Sequence, residues 1–489
     1  MKQAIESLIQ YEINRGIILK RDYHYIKNQL YHLLNLTNDG TIYEPNKITY
    51  PQEALDIILD NLEQLGTLDG SQTQRDLFDA KIMNVFAKKP SDVESVFWSL
   101  YKESSLKATT WYYEYMKSLN YIRFDRILKN KHFSVDSKYG IIELTINLSK
   151  PEKDPKSIAL ALRQESTAYP KCVLCIENEG FSGNFTRDSR DQHRVIEVEL
   201  NDGKWYFQYS PYIYYDEHAI VFTEEHKPMK TDKQTFMNLL MLTDIFEGYF
   251  FGSNADMPIV GGSILSHSHY QGGKYTLPIE NATTLKTFKF NDVAVSILNW
   301  PMASLRFESK NKEALVNYAY QVFDCWKMYE NKALDIVAYT DGVSNHTVTP
   351  IARKHGDTYF LDMILRDNHT TDAYPLGVYH LKEDVWHVKK ENIGLIEASG
   401  LAILPGRLIN ELKEVKQYLL NATPLSEAAM KHHDFVEKLR SMYQFTSENI
   451  QQILNQEVGN VFIKGLIDCS VFKESNYDVF EDFILNALR

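Results

Sequence analysis

Two kinds of apolar spacing divide the chain: helical spacing through roughly its first 130 residues and again beyond residue 408, with β-type runs between them. Ile5, Leu8, Ile9 and Ile13 fall on one helical stripe, and Ile26, Leu30, Leu33 and Leu34 on another. A third helix is better punctuated. Pro51 stands near its start, Leu55, Ile58, Leu59 and Leu62 form its apolar face, and Gly66 follows its last turn. Ser91 with Glu94 reads as a capping box opening a fourth, with Val93, Val96, Phe97 and Leu100 as its buried side. Residues 1–130 therefore read as a helical packing or assembly module, and no catalytic pattern stands out in them.

The character changes near residue 139. Short β-type runs appear at Ile141–Leu148, Val195–Leu200, Trp205–Tyr209 and Ala219–Thr223, separated by polar turns. Thr231 and Gln234 form a second expected capping box, and Phe236, Leu239, Leu240 and Phe246 continue as a helix to about Gly248. A fainter copy of this order follows, with 293–307 as β, 312–330 as a helix carrying Leu315, Tyr318 and Val322, and 347–366 as a strand pair. The stretch 393–407 closes that region, and helices return from Leu408. The pattern predicts an α+β fold in four parts: helical 1–130, a first half 131–285, a second half 286–407 and helical 408–489.

Charge and composition narrow the partners. A net charge of −12 over 489 residues argues against a general nucleic-acid binder, which needs a basic footprint. Any phosphate must then be met locally. No apolar run is long enough to span a bilayer, and the charged N-terminus is not a secretory signal. Four cysteines in so long a chain make no disulfide framework, so a reducing, cytoplasmic setting is expected.

Candidate chemistry concentrates in residues 260–275, VGGSILSHSHYQGGKY. His267, His269 and Gln271 alternate with Ser268 and Tyr270, so an extended backbone sends both imidazoles and the amide to one face. Gly261, Gly262, Gly272 and Gly273 remove Cβ bulk on either side, where a ligand approaches closely. Three readings of the histidines stand open: a metal site, a pair hydrogen-bonded for structure alone, or one nucleophile with a supporting neighbour. The last requires the far ring nitrogen to be held as N–H.

Cys172 and Cys175 make half of a zinc site at conventional spacing, and equally suit a redox pair or plain burial. His226 and His267 complete a Cys2His2 set, with His193 and His218 competing for the third place. Lys150, Lys153 and Lys156 lie in a proline-broken loop that reaches a ligand or is merely solvated. Arg353, Arg366 and Arg407 flank strand-like or turn residues, and Tyr212, Tyr214 and Tyr215 suit either a base-stacking surface or core.

The stretches INLSKPEKDPK, YPKCVLCIENEGFSGN, GGSILSHSHYQGG and GLAILPGRL, in that order across residues 139–407, resemble the galactose-1-phosphate uridylyltransferases, and within them the class II bacterial branch. The resemblance implies two histidine-triad-like halves with mixed and antiparallel sheets, of which the first keeps the nucleophile. It implies a ping-pong reaction in which His269 takes UMP from UDP-glucose, releases glucose 1-phosphate, and passes UMP to galactose 1-phosphate to give UDP-galactose. Gln271 matches the glutamine that steadies the phosphoryl oxygens. Ser263, displaced by one residue, matches a phosphate-contacting serine, and Asn254 and Gly262 fall on substrate-side positions just before the motif. Cys172, Cys175, His226 and His267 match the zinc ligands of the class I branch, implying one structural zinc and no nicotinamide or flavin.

The sequence also departs from the family pattern. Class I second halves carry a His-x-His metal pair where this chain has Asp362 and Ile364, so no second metal is expected. The family's N-terminal arginine contacts have no match, leaving Lys150, Lys153 and Arg366 as substitutes. Family habit implies a homodimer. Two alternatives remain at this point: another histidine-triad nucleotidyl hydrolase or phosphorylase, and a zinc-stabilised binding module with inert histidines.

Overall fold

A computed structural model describes residues 1–149, 168–421 and 423–489. Lys150, Lys153 and Lys156 lie outside the described residues. Contacts divide the chain into two compact units. One comprises Met1–Lys129, Ser149–Ile213 and Glu217–Lys227, and the other Asn130–Leu148, Tyr214–Asp216 and Pro228–Arg489.

In the first unit the helices expected from apolar spacing form over Lys2–Asn14, Tyr23–Leu33, Gln52–Gln64 and Pro90–Tyr101, joined by Gln72–Asn84 and Ser105–Ser118. They pack on an antiparallel run of strands, Ile196–Leu200, Gly203–Tyr209 and Ala219–Thr223. Aromatic side chains bind the two layers together. Tyr112 is buried against Phe97 of a neighbouring helix and stacks on Tyr209 of the sheet, and its hydroxyl donates to the Arg194 carbonyl. The Arg194 guanidinium in turn caps the Lys88 carbonyl and the Asn84 side chain, tying two helix ends to the sheet's entry. The expected Ser91–Glu94 capping box does not form. Pro90 opens that helix at its first turn, where its missing N–H costs nothing, and Glu94 instead accepts the Glu197 N–H of the first strand.

Besides the short pair Tyr339–Thr340 and Val343–Ser344, the strands described in the second unit fall in two larger sheets. Lys131–Ser137 pairs antiparallel with Gly140–Asn147, which takes Leu401–Pro405 in parallel on its other edge. The larger sheet runs, in spatial order, His269–Gly273, Phe250–Gly252, His346–His355, Thr358–Asp367, Ser304–Ser309, Val293–Leu298 and Thr284–Phe290. Helices Lys233–Ile245 and Lys312–Met328 pack against it and meet each other through Phe236 and Phe323. Each helix precedes strands of this sheet, which realises the repeated order read from the sequence. Its assignment as α+β holds. The first of these helices is capped one residue later than expected: Asp232 accepts the Thr235 N–H, and Thr235 Oγ1 accepts the Asp232 N–H, because aspartate is the stronger N-cap acceptor. Helices Leu408–Asn421, His433–Met442, Ile450–Asp468 and Tyr477–Ala487 end the chain.

Candidate active site

The strand His269–Gly273 is made by what its neighbour permits. It pairs with Phe250–Gly252 so closely that a Cβ on Gly272 would sit 2.6 Å from the Phe250 carbonyl oxygen and 2.4 Å from the Phe251 ring. Only glycine fits there. Alternation then places His269 and Gln271 on one face and Tyr270 on the other, where Asn238 of helix Lys233–Ile245 donates to the Tyr270 hydroxyl.

His267 does not share that geometry. The strand starts at His269, and His267 lies in the bend before it, fully buried. The expectation that three side chains line one strand face is therefore corrected to two, since strict alternation fails where the ladder has not begun. The bend has a consequence. The backbone carbonyl of His267 turns toward the His269 ring and lies 2.8 Å from Nδ1. A carbonyl oxygen only accepts, so Nδ1 carries the proton and Nε2 carries the lone pair. Burial pushes the imidazole down to about 4, more than the carbonyl hydrogen bond raises it, so at neutral pH the ring is uncharged. His269 is thus a neutral, oriented imidazole with a basic nitrogen pointing away from its anchor.

Upstream, the chain bends back on itself through glycines. Gly261 bridges to Ala255, and a Cβ on Gly262 would lie 2.7 Å from Nδ2 of the buried Asn254. The Asn254 amide oxygen accepts the Leu395 N–H at 2.9 Å, at the start of the short helix Leu395–Ala398. Asn254, Gly262 and the exposed Ser263 are therefore brought together on one loop. Arg366 is not an exposed ligand: it is 2 % accessible, with Nη2 donating to the Ile393 carbonyl and Nη1 to Thr349 Oγ1. It braces the segment that holds Asn254.

Cys172 and Cys175 lie in a tight turn of the first unit. The Leu174 N–H points at the Cys172 sulfur, and the Asn178 side-chain amide donates to the carbonyls of both cysteines, at 2.7 and 2.8 Å. The two sulfurs are 3.6 Å apart, and His226 Nδ1 lies 3.1 Å from Cys175 Sγ. Two thiols and an imidazole converging this closely are the donor set zinc prefers. Burial pushes the Cys175 thiol up to about 11, against a Cys172 backbone hydrogen bond that lowers it, so without a metal this sulfur keeps its proton at neutral pH. His193 is excluded from this set. Its Nε2 meets Gln208 and its ring stacks on Tyr121 in the core.

Among the other sequence candidates, Tyr215 is core: it stacks on Tyr275 and its hydroxyl donates to the Gly272 carbonyl, steadying the strand from below. Arg353 is held by Asp362, and Arg407 by Glu411. Asn178 and the Leu395 N–H join the functional segments without a place among the sequence candidates. An asparagine three residues after the second cysteine is a readable signal for the first, whereas nothing in the sequence brings residue 395 to residue 254. Among the described residues no helix is long and apolar enough to cross a membrane.

Comparison with known proteins adds a family assignment. A family model described as the N-terminal domain of galactose-1-phosphate uridyl transferase matches residues 27–228, and one for its C-terminal domain matches residues 242–435. The chain is 42% identical over 490 residues to the galactose-1-phosphate uridylyltransferase of Clostridium perfringens strain 13, covering 99% of this chain and 98% of that one. It is 42% identical over 496 residues to that of Staphylococcus carnosus and 43% identical over 496 residues to that of Clostridium acetobutylicum, covering 99% of both chains in each case.

Proposed function

From the premise that this chain belongs to the galactose-1-phosphate uridyl transferase family, we propose that it moves UMP from UDP-glucose to galactose 1-phosphate through a covalent uridylyl-histidine at His269. The observation that carries the reading is the 2.8 Å hydrogen bond from His269 Nδ1 to the His267 carbonyl, which leaves Nε2 as the nucleophile. Nε2 attacks the α-phosphorus, the bond to the bridging oxygen breaks, and glucose 1-phosphate departs with that oxygen's electron pair. In the second half an oxygen of the galactose 1-phosphate phosphate attacks the same phosphorus, the N–P bond breaks, and UDP-galactose forms. Two in-line displacements retain configuration at phosphorus. The leaving groups carry their own charge and need no strong acid, so catalysis rests on position and on donors to the equatorial oxygens.

Gln271, two residues on and on the same strand face, is assigned as such a donor. Asn254, Gly262 and Ser263 are assigned to the phosphate side of the substrate, and Arg366 to holding the Ile393–Leu395 segment beneath them. Replacing Gly262 by alanine puts a methyl group 2.7 Å from Asn254 Nδ2, so Asn254 has to move. The expected result is a fall in kcat/KM of about 10²-fold with the thermal transition nearly unchanged; unaltered kinetics would remove this loop from the site.

Cys172, Cys175 and His226, with His267 as fourth ligand, are assigned to one structural zinc. Elemental analysis of protein purified without added metal should find about one zinc per chain, falling to background in Cys172→Ala. Zinc retained in that variant would refute the ligand set. The function itself is tested by mixing protein with UDP-glucose and measuring intact mass. A UMP adduct that galactose 1-phosphate discharges faster than water is expected, and an adduct that only water discharges would favour a hydrolase.

A further inference from the structure

A cleft lies among the C-terminal helices of the second unit, and none of its lining residues belongs to the His269 strand or to its glycine loop. It has a volume of about 660 Å³ and is walled by Trp386, His387 and Phe435, with Lys390, Arg407 and Lys438 at its edge. Its floor is a relay. Glu411, 6 % accessible, accepts from Arg407 Nη1 at 2.6 Å, from Lys431 at 2.7 Å and from His432 Nε2 at 2.9 Å. His432 is fully buried, and its Nδ1 lies 2.8 Å from Nδ1 of His387.

The tautomers follow from the acceptor at the end of the chain. A carboxylate only accepts, so His432 Nε2 is the N–H and its Nδ1 the lone pair; His387 Nδ1 must then donate, and His387 Nε2 is left as a lone pair. Burial lowers the affinity of both rings for a second proton, which keeps them neutral. Arg407 also donates to the His387 carbonyl, fixing the backbone that carries the ring. The cations on the rim are not all spoken for. Asp384 and Glu391 are held by Lys464 and Lys389, and Glu383 and Asp434 also line the cleft; Lys390 Nζ lies 4.9 Å over one face of the Trp386 ring, Lys438 has no carboxylate partner among the described residues, and Arg407 turns only Nη1 toward Glu411.

We propose that this cleft binds a sugar phosphate at a site additional to that of uridylyl transfer: Arg407, Lys390 and Lys438 take the phosphate monoester, His387 Nε2 accepts a sugar hydroxyl, and Trp386 and Phe435 flank the ring. The elements are those that sugar phosphates require together. Convergent cations meet the phosphate, a neutral acceptor orders a hydroxyl without repelling it, and aromatic faces cover the C–H edges. The proposal does not depend on the reaction at His269.

The probe is glucose 6-phosphate, titrated into the full chain with UDP present at saturation so that the nucleotide site is occupied. Saturable binding of one glucose 6-phosphate per chain, reported by calorimetry and by a change in tryptophan fluorescence that Trp386→Phe abolishes, is expected. Lys438→Glu, at an exposed position, and His387→Gln should each weaken it by about tenfold or more while uridylyl transfer by Lys438→Glu stays at the wild-type rate. Absence of binding beside UDP, or binding that both variants leave unchanged, overturns the site. Inorganic phosphate binding as tightly as glucose 6-phosphate overturns the roles given to His387 and the aromatic walls.

Discussion

Replacement of His269 by alanine is expected to lower kcat for uridylyl exchange by on the order of 10⁴-fold, with the dissociation constant for UDP-glucose changed by no more than a few fold. The asymmetry follows from where the ring sits. His269 is 5 % accessible on a strand whose main chain is fixed by Phe250–Gly252, so its removal leaves the fold and the phosphate loop intact and deletes the bond-forming nitrogen alone. Intact mass is the companion measurement, since the variant should carry no UMP adduct. Gln271→Ala should still form the adduct, more slowly by about 10²–10³-fold, because it removes one donor to the phosphoryl oxygens and not the nucleophile. An adduct in His269→Ala at the wild-type rate would move the nucleophile elsewhere and sink the mechanism.

How far the sequence alone reaches is seen best at this strand. The motif identified His269 and Gln271 and their shared face, because period-two alternation is a local property. It does not place His267, because where a strand begins depends on tertiary pairing that no local alternation carries; the strand starts at His269 and leaves His267 in the bend before it. The same division runs through the rest of the chain. Apolar stripes predict the N-terminal helices, yet the spacing that makes Glu94 a local cap misses its partner, the Glu197 N–H, 103 residues away. Cys172, Cys175 and His226 are legible as candidate ligands by residue type, and Asn178, three residues after the second cysteine, is legible as the clamp on their turn. Arg366 stands in the sequence as a substitute for the family's unmatched arginine contacts; only tertiary packing shows it buried beneath Ile393, two residues before the N–H that Asn254 accepts.

Asp362 carries the second large effect, on stability. It is fully buried between two guanidiniums: Arg306 donates from Nε and Nη2 at 2.7 and 2.9 Å, and Arg353 from Nη1 at 2.7 Å. Arg306 also donates to the carbonyls of Ile279 and Glu280, and Arg353 pairs with the Glu280 carboxylate, so the cluster clamps the turn Pro278–Asn281 that follows the His269 strand. Asp362→Ala would leave two buried cations facing each other, with the Glu280 carboxylate beside Arg353 and Glu308 near Arg306. The expected cost is about 3–5 kcal/mol. Hydrogen exchange reads it locally: the slowest amides of His346–His355 and Thr358–Asp367 should exchange on the order of 10²–10³-fold faster, tenfold for each 1.4 kcal/mol. A cost below about 1 kcal/mol would mean that the arginines find other partners, and would contradict the clamp. The pH dependence has a definite sign. Burial raises the Asp362 pKa, but Arg353 and Arg306 outweigh it and hold the carboxyl below the ordinary 3.8. A depressed folded-state value contributes stability above the unfolded value and loses it as pH falls through the folded one. The gap between wild type and Asp362→Ala should therefore be full at neutral pH and close progressively below 3.8. A gap that persists unchanged in acid would assign the loss to packing around Asp362 and not to its charge.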